Sequence, residues 1–255
     1  MTRQVIRESI DQLKLDRPTL INADGLDIKE LVIYQPETVT GRDHFLCELR
    51  GSNCKVGRVV IHGCADDSTD KAAWNASVAS GLLVTGHNNV IGQAYAQRVH
   101  IPYLVTGTGN RLARLYAELA SGDGFNLCGN HNDIYLADFS SLITTFPYEE
   151  YHPDVGMMYQ KGGGVLLNCN AYNVMLHCQG HRWEDSERQG FLADHVTAGC
   201  GIYNFRLNGV HPEHGASWAN AVGCTVMNLE TNGSVRFDRK SQQVMAETER
   251  GNRYV

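Results

Sequence analysis

The sequence predicts an all-β chain, a solenoid of short parallel strands wound in coils of about 21–22 residues with loops inserted at the corners. Three observations predict it. The segment VTGHNNVIGQAYAQ (84–97) is answered by VTGTGNRLARLYAE (105–118) and again by LCGNHNDIYLADFS (127–140). Each copy carries G-x-x-N: Gly86 to Gly107 is 21 residues, Gly107 to Gly129 is 22, and Asn89, Asn110 and Asn132 follow in phase. Apolar residues recur on both sides of the motif, Val84 with Ile91, Val105 with Leu112 and Leu127 with Ile134, in runs of period two bounded by Gly and Asn.

A unit this short cannot bury its own apolar face and must stack on its neighbours. Helical repeats are excluded by the glycine and asparagine content, and leucine-rich repeats by the missing leucine consensus. Parallel strands stacked about 4.8 Å apart bring equivalent residues into columns. Asn89, Asn110 and Asn132 are therefore expected to form a hydrogen-bonded ladder, and to tolerate the left-handed backbone of a corner.

Taken in chain order, residues 1–16 read as a cap on the first coil and 17–238 as the solenoid. LRGSNCKVGRVVIHG is a weaker copy with Gly51, Cys54 in the asparagine place, and Val56. Residues 65–80, 141–164 and 180–189 read as inserted corner loops, on a flank suited to ligands. Further copies are read in LNCNAYNVMLHCQ (Asn170 and Asn173), around Asn204 and around Asn228, and 239–255 as a charged tail.

This pattern resembles the right-handed, single-stranded parallel β-helix proteins, the group that contains pectate-lyase-like enzymes and phage tailspikes. Many members carry H-x-D-G-[ILV]-Q followed about a coil later by Q-G-[IF]-F. His152 and Asp154 match the start of the first element, with Gln160 three residues later than the pattern has its glutamine, and Gln189, Gly190 and Phe191 match the second. The resemblance implies contact with polysaccharide and, through tailspikes, a homo-oligomer with a trimer favoured.

Composition bounds the remaining choices. A hydrophobic content of 42% and a charged content of 20% describe a folded chain, and a net charge of −6 argues against nucleic-acid and membrane-surface binding. No 18-residue apolar run exists, and MTRQVIRESIDQLKLD lacks the apolar core of a secretory signal, so synthesis in a cytoplasm is expected. The eight cysteines form no CxxC pair and read as reduced, buried residues. Neither G-x-G-x-x-G, G-x-S-x-G nor a phosphate loop is present. Of the late histidines His177, His181, His195, His211 and His214, the first two are four apart but fall in a stretch read as strand and turn, and HPEH (211–214) lacks a third ligand, so no cofactor and no metal are expected.

The candidate catalytic residues are His152, Asp154 and Asp194, because acid–base work on a glycosidic bond needs carboxylates across a groove. Asp123, Asp138 and Asp185 are further carboxylates that stacking could bring near. Gln160, Gln189 and Arg182 would hydrogen-bond a sugar, and Trp74 and Trp183 would stack on it. The bland alternatives are turn residues for the first group and loop clamps for the tryptophans. The expected function is a virion-associated, tailspike-like protein that contacts surface polysaccharide and other virion subunits, with or without cleavage. The alternatives are a purely structural virion or assembly subunit and a stand-alone polysaccharide lyase or glycoside hydrolase.

Overall fold

The computed structural model describes residues 2–64, 76–143, 154–159, 164–174, 189–194, 200–208, 216–219, 224–231, 234–237, 245–247 and 253–254, with the side chains described chiefly up to Phe139. The chain is all-β in these residues and forms two parallel sheets. The first sheet contains β1 (Gln4–Ile6), β3 (Thr19–Ile21), β5 (Gly41–Leu49), β7 (Ala79–Val84), β9 (Tyr103–Val105), β12 (Asn126–Leu127), β15 (Asp154–Tyr159), β17 (Gln189–Asp194), β19 (Ala216–Ala219), β21 (Ser234–Phe237) and β23 (Arg253–Tyr254), in that order. The second contains β2 (Ile10–Leu15), β4 (Asp27–Tyr34), β6 (Lys55–His62), β8 (Val90–Gln97), β10 (Arg111–Leu112), β13 (Asp133–Ile134), β16 (Gly164–Val174), β18 (Cys200–Asn208), β20 (Cys224–Thr231) and β22 (Met245–Glu247), with β11 (Leu115–Glu118) between β8 and β14 (Ala137–Ile143), and β14 beside β16. The chain crosses between sheets as it proceeds, so each strand pairs with a partner from the preceding and the following copy.

Register converts the sequence repeat into columns. Ile21, Leu49, Val84, Val105, Leu127 and Met158 are successive partners in the first sheet, and all are buried. In the second, Ile28, Val56, Ile91, Leu112 and Ile134 do the same. Each such side chain contributes about 1.5–3 kcal/mol by leaving water. The second sheet bends between two inward columns. Ile28 and Leu31 are buried, but both residues between them face outward, and at this bend Gly57 and Gly92 rest on backbone carbonyls.

The corner between the sheets explains the G-x-x-N motif. A Cβ on Gly51, Gly86, Gly107 or Gly129 would sit 2.0, 1.9, 1.8 or 1.7 Å from a carbonyl oxygen of the preceding copy, so only glycine lets the copies stack. Behind it, Asn89 Oδ1 accepts from the Cys54 amide at 2.8 Å, and Asn110 Oδ1 accepts from the Asn89 amide at 3.0 Å. Asn132 Oδ1 accepts from the Asn110 amide, also at 3.0 Å. The side-chain amides of Asn110 and Asn132 donate back to Gly86 O and Gly107 O at 3.1 and 2.8 Å. The expected ladder exists, although it is mainly side chain to backbone. On the outside of the corner a second ladder runs the opposite way, from the amides of Ser52, His87 and Thr108 to Asp24 Oδ1, Ser52 Oγ and His87 Nδ1.

Several expectations need correction. The left-handed residue of each corner is not the ladder asparagine but the one before it: Gly25, Asn53, Asn88, Gly109 and His131. The ladder asparagines are fully buried, since their task is to satisfy amides that no strand reaches. Asn170, Asn173, Asn204 and Asn228 lie within β16, β18 and β20, not at this corner. Register carries the corner column on to Gly164, Cys200 and Cys224, whereas Asn204, at a φ of 55°, marks the bend of the second sheet. Residues 1–16 supply β1 and β2, the first strands of the sheets, and 239–255 supply β22 and β23. The stretch 141–164 contains the end of β14 and all of β15, because its apolar residues extend existing columns. Trp218 lies in β19, in register with Ala193 and Phe237.

Two substitutions test this corner by chemical denaturation. Gly107→Ala should cost about 3 kcal/mol or more through its collision with Gly86 O, whereas Gly25→Ala, left-handed but with open space around it, should cost only about 1–2 kcal/mol. Asn110→Leu should lose about 1–3 kcal/mol for each of two stranded partners, the Asn89 amide and Gly86 O.

Candidate functional site

Beyond the bend, the strands of the second sheet alternate regularly. Leu31, Val59, Ala94, Leu115 and Ala137 point inward, as do Ile33, Ile61, Ala96 and Ala117. The residues between them must therefore face outward. One outward column is Val32, Val60, Tyr95, Tyr116 and Asp138, and the next is Tyr34, His62, Gln97 and Glu118. Val60, Tyr95, Tyr116 and Asp138 of the first column and His62 and Glu118 of the second line a surface groove of 430 Å³, with Arg58 and Gln93 on one flank.

Aromatic contacts tie the strands of this face together. The rings of Tyr34 and His62 are stacked at 4.7 Å, His62 meets Tyr95 edge-on at 6.2 Å, and Lys14 Nζ lies 4.8 Å above the Tyr34 ring. The Tyr95 hydroxyl has two acceptors for its one proton, Gln97 Oε1 at 2.5 Å and Glu118 Oε2 at 2.9 Å. Arg58 is engaged at the edge, where its guanidinium donates to Glu30 Oε1 at 2.6 Å. Among the described residues Asp138 Oδ1 is buried and has no hydrogen-bond partner.

This wall shifts its own titrations. Burial, then the hydrogen bond and charge of Glu118, push the Tyr95 phenol up to about 12. Burial, then the charge of Glu118, raise the Asp138 carboxyl above its ordinary range. Burial, then Lys14 and Arg58, lower the His62 imidazole. The groove thus combines a histidine shifted toward its neutral form, two tyrosines and two carboxylates, of which Asp138 is raised. Such a surface can stack on apolar ring faces and accept hydrogen bonds from hydroxyls.

The residues singled out in the sequence lie elsewhere. Asp154 and Gln189 open β15 and β17 of the first sheet and are register partners, so stacking brings these two together. Asp194 closes β17 opposite Tyr159 and Ala219, about 17 Å along the strand from Gln189 at the usual rise per residue. His152, Gln160, Trp74, Trp183 and Arg182 lie outside the described residues, as do Asp185 and the five late histidines. Asp123 is buried and accepts from Asn126 Nδ2 at 2.9 Å. Among the described residues Asp138 is the one sequence candidate in the groove. His62, Tyr95, Tyr116 and Glu118 were missed, yet the signal was available: Tyr95, Tyr116 and Asp138 each stand nine residues after the glycine of their copy.

The Asp138 shift has a sign that can be measured. Folding favours its protonated form, so its contribution is intact below the ordinary carboxylate range and is lost as pH rises through the folded value. Asp138→Asn, neutral at every pH, should melt higher than the parent protein at about pH 7 and together with it at about pH 3 in paired thermal scans.

Comparison of the chain with family models, with curated proteins and with solved structures finds no match to any of them.

Proposed function

We propose that this chain is a right-handed, single-stranded parallel β-helix that contacts a surface polysaccharide along the outer face of its second sheet, as a virion-associated subunit. The coil reading is supported by the steady alternation of strands between two parallel sheets and by columns that keep register from one copy to the next. The observation that carries the polysaccharide reading is the groove itself: Tyr95 and Tyr116 on neighbouring strands beside Glu118 and Asp138. Aromatic faces stack on the apolar faces of sugar rings, and carboxylates accept their hydroxyls. Sugars stacked across strands would follow the column, meeting one outward side chain per strand at about 4.8 Å intervals. Cys47, Cys54, Cys64 and Cys128 are unpaired, which suits folding in a reducing compartment followed by assembly.

Cleavage is a second reading, favoured by two carboxylates, Glu118 and Asp138, lining one groove. Glycoside hydrolysis uses a pair of carboxyl groups, and burial with the charge of Glu118 raises the Asp138 carboxyl in the direction a proton donor needs. The purely structural reading predicts that this face meets another subunit instead of a sugar.

A panel of bacterial capsular and O-antigen polysaccharides separates these readings. The parent protein should retain at least one polymer on an affinity column, and Tyr95→Ala with Tyr116→Ala should weaken retention by about tenfold or more, from roughly 0.5–1.5 kcal/mol of stacking per ring. Shortening of the retained polymer on size exclusion, abolished by Glu118→Gln, would establish hydrolysis. No retention of any polymer, with the protein eluting as a stable oligomer, would overturn the polysaccharide reading in favour of the structural one.

A further inference from the structure

The two sheets begin in strand edges that nothing described covers. β1 and β2 head their sheets: among the described strands β1 pairs only with β3, and β2 only with β4. The other edge of each therefore offers backbone N–H and C=O groups to an incoming strand. The core thins at the same place. Ile28, Leu31 and Ile33 of β4 are fully buried, whereas Ile10, Leu13 and Leu15, their register partners in β2, are only half-buried.

Proteins guard such an edge with charged side chains, prolines or bulges. Neither β1 nor β2 contains a proline, and their register with β3 and β4 is unbroken. The two charged side chains of β2 are drawn back over the next strand instead of standing across the edge. Lys29 Nζ of β4 lies 2.6 Å from Asp11 Oδ1, and Lys14 Nζ lies 4.8 Å from the centre of the Tyr34 ring. Gln12 Nε2 likewise donates to Glu30 Oε2 of β4 at 2.5 Å. Arg3, just before β1, donates to Glu48 of β5. The edge backbone of β2 is left clear.

The sequence of β2 is also complementary to itself. Laid antiparallel against IDQLKL of a second chain, about the midpoint between Gln12 and Leu13, Ile10 falls opposite Leu15 on the core side. Asp11 falls opposite Lys14 on the exposed side. Side chains directly opposite in such a pair stand about 4.5–5.5 Å apart, within reach of an ion pair or an apolar contact. Two-fold symmetry makes each contact twice. Only the central pair, Gln12 with Leu13, joins unlike faces, at the bend of the sheet. A slip of one residue either way would set Asp11 against Leu13 or Leu15, so charge and pattern select one register. We propose that two copies of this chain pair through β2 in an antiparallel, two-fold contact that joins their second sheets end to end. This interface is independent of the polysaccharide reading, because no residue of β1 or β2 lines the groove.

Light scattering on size exclusion, over a wide range of concentrations of the full chain, should show a monomer–dimer equilibrium. Lys14→Asp opposes Asp to Asp, and Asp11→Lys opposes Lys to Lys, so each variant alone should dimerise about tenfold more weakly. Mixed together, the two variants restore both ion pairs and should dimerise as the parent does, a recovery that no folding defect produces. Circular dichroism checks that each is folded. Hydrogen exchange on the parent serves if they are not: the Ile10–Leu15 amides should slow in step with the dimer fraction. A monomer at every concentration would overturn the proposal, as would folded variants that dimerise like the parent or a mixture that stays weak. A dimer whose β2 amides exchange as in the monomer would overturn it too. A series of species growing with concentration would mark head-to-tail stacking, which does not close, and would overturn the two-fold contact.

Discussion

Everything in this molecule depends on how closely one copy of the repeat can lie on the next. At the corner between the sheets the backbone of each copy presses a carbonyl oxygen onto the glycine Cα of its successor, leaving no room for a side chain. A position with no Cβ is therefore obligatory there, at a cost in chain entropy that glycine always carries. The buried asparagines complete the same contact by filling the hydrogen bonds of amides that have left one sheet and not yet entered the other. Steric and polar requirements thus meet at one place, three residues apart, in every well-formed copy.

Closeness at the corner propagates into register. Once Gly86, Gly107 and Gly129 are stacked, residues a fixed distance downstream are stacked as well as far as Tyr95, Tyr116 and Asp138, and side-chain alternation assigns them to the core or to the surface. The inward columns become a continuous apolar core. The outward ones become stripes in which a chemical choice made once per copy is multiplied along the stack. The tyrosines at 95 and 116 and the carboxylates at 118 and 138 share a wall for that reason, although they are spread over 44 residues from 95 to 138 inclusive.

The wall then acts on its own members. Tyr95 anchors Glu118, Glu118 raises Asp138 and Tyr95, and partial burial sharpens each effect because water cannot fully screen it. Arg58 is engaged by Glu30, and Lys14 lies over the Tyr34 ring.

The repeat, its period and the parallel stacking were legible in the sequence, because Gly and Asn at constant spacing are imposed by the corner's local geometry. The inward columns were equally legible, since Ile91, Leu112 and Ile134 differ little and serve one purpose. Where copies lost the motif, as at Gly164, Cys200 and Cys224, register could not be read from composition, and the asparagines drew the alignment elsewhere, to the bend at Asn204 and Asn228 and past it at Asn170 and Asn173. The site was written in the same phase as the glycines but in residues that differ from copy to copy, tyrosine, tyrosine and aspartate. Local sequence determines which residues face outward. Only the tertiary stack decides which outward residues touch, because contact between copies is made across strands, by backbone pairing that no single copy contains.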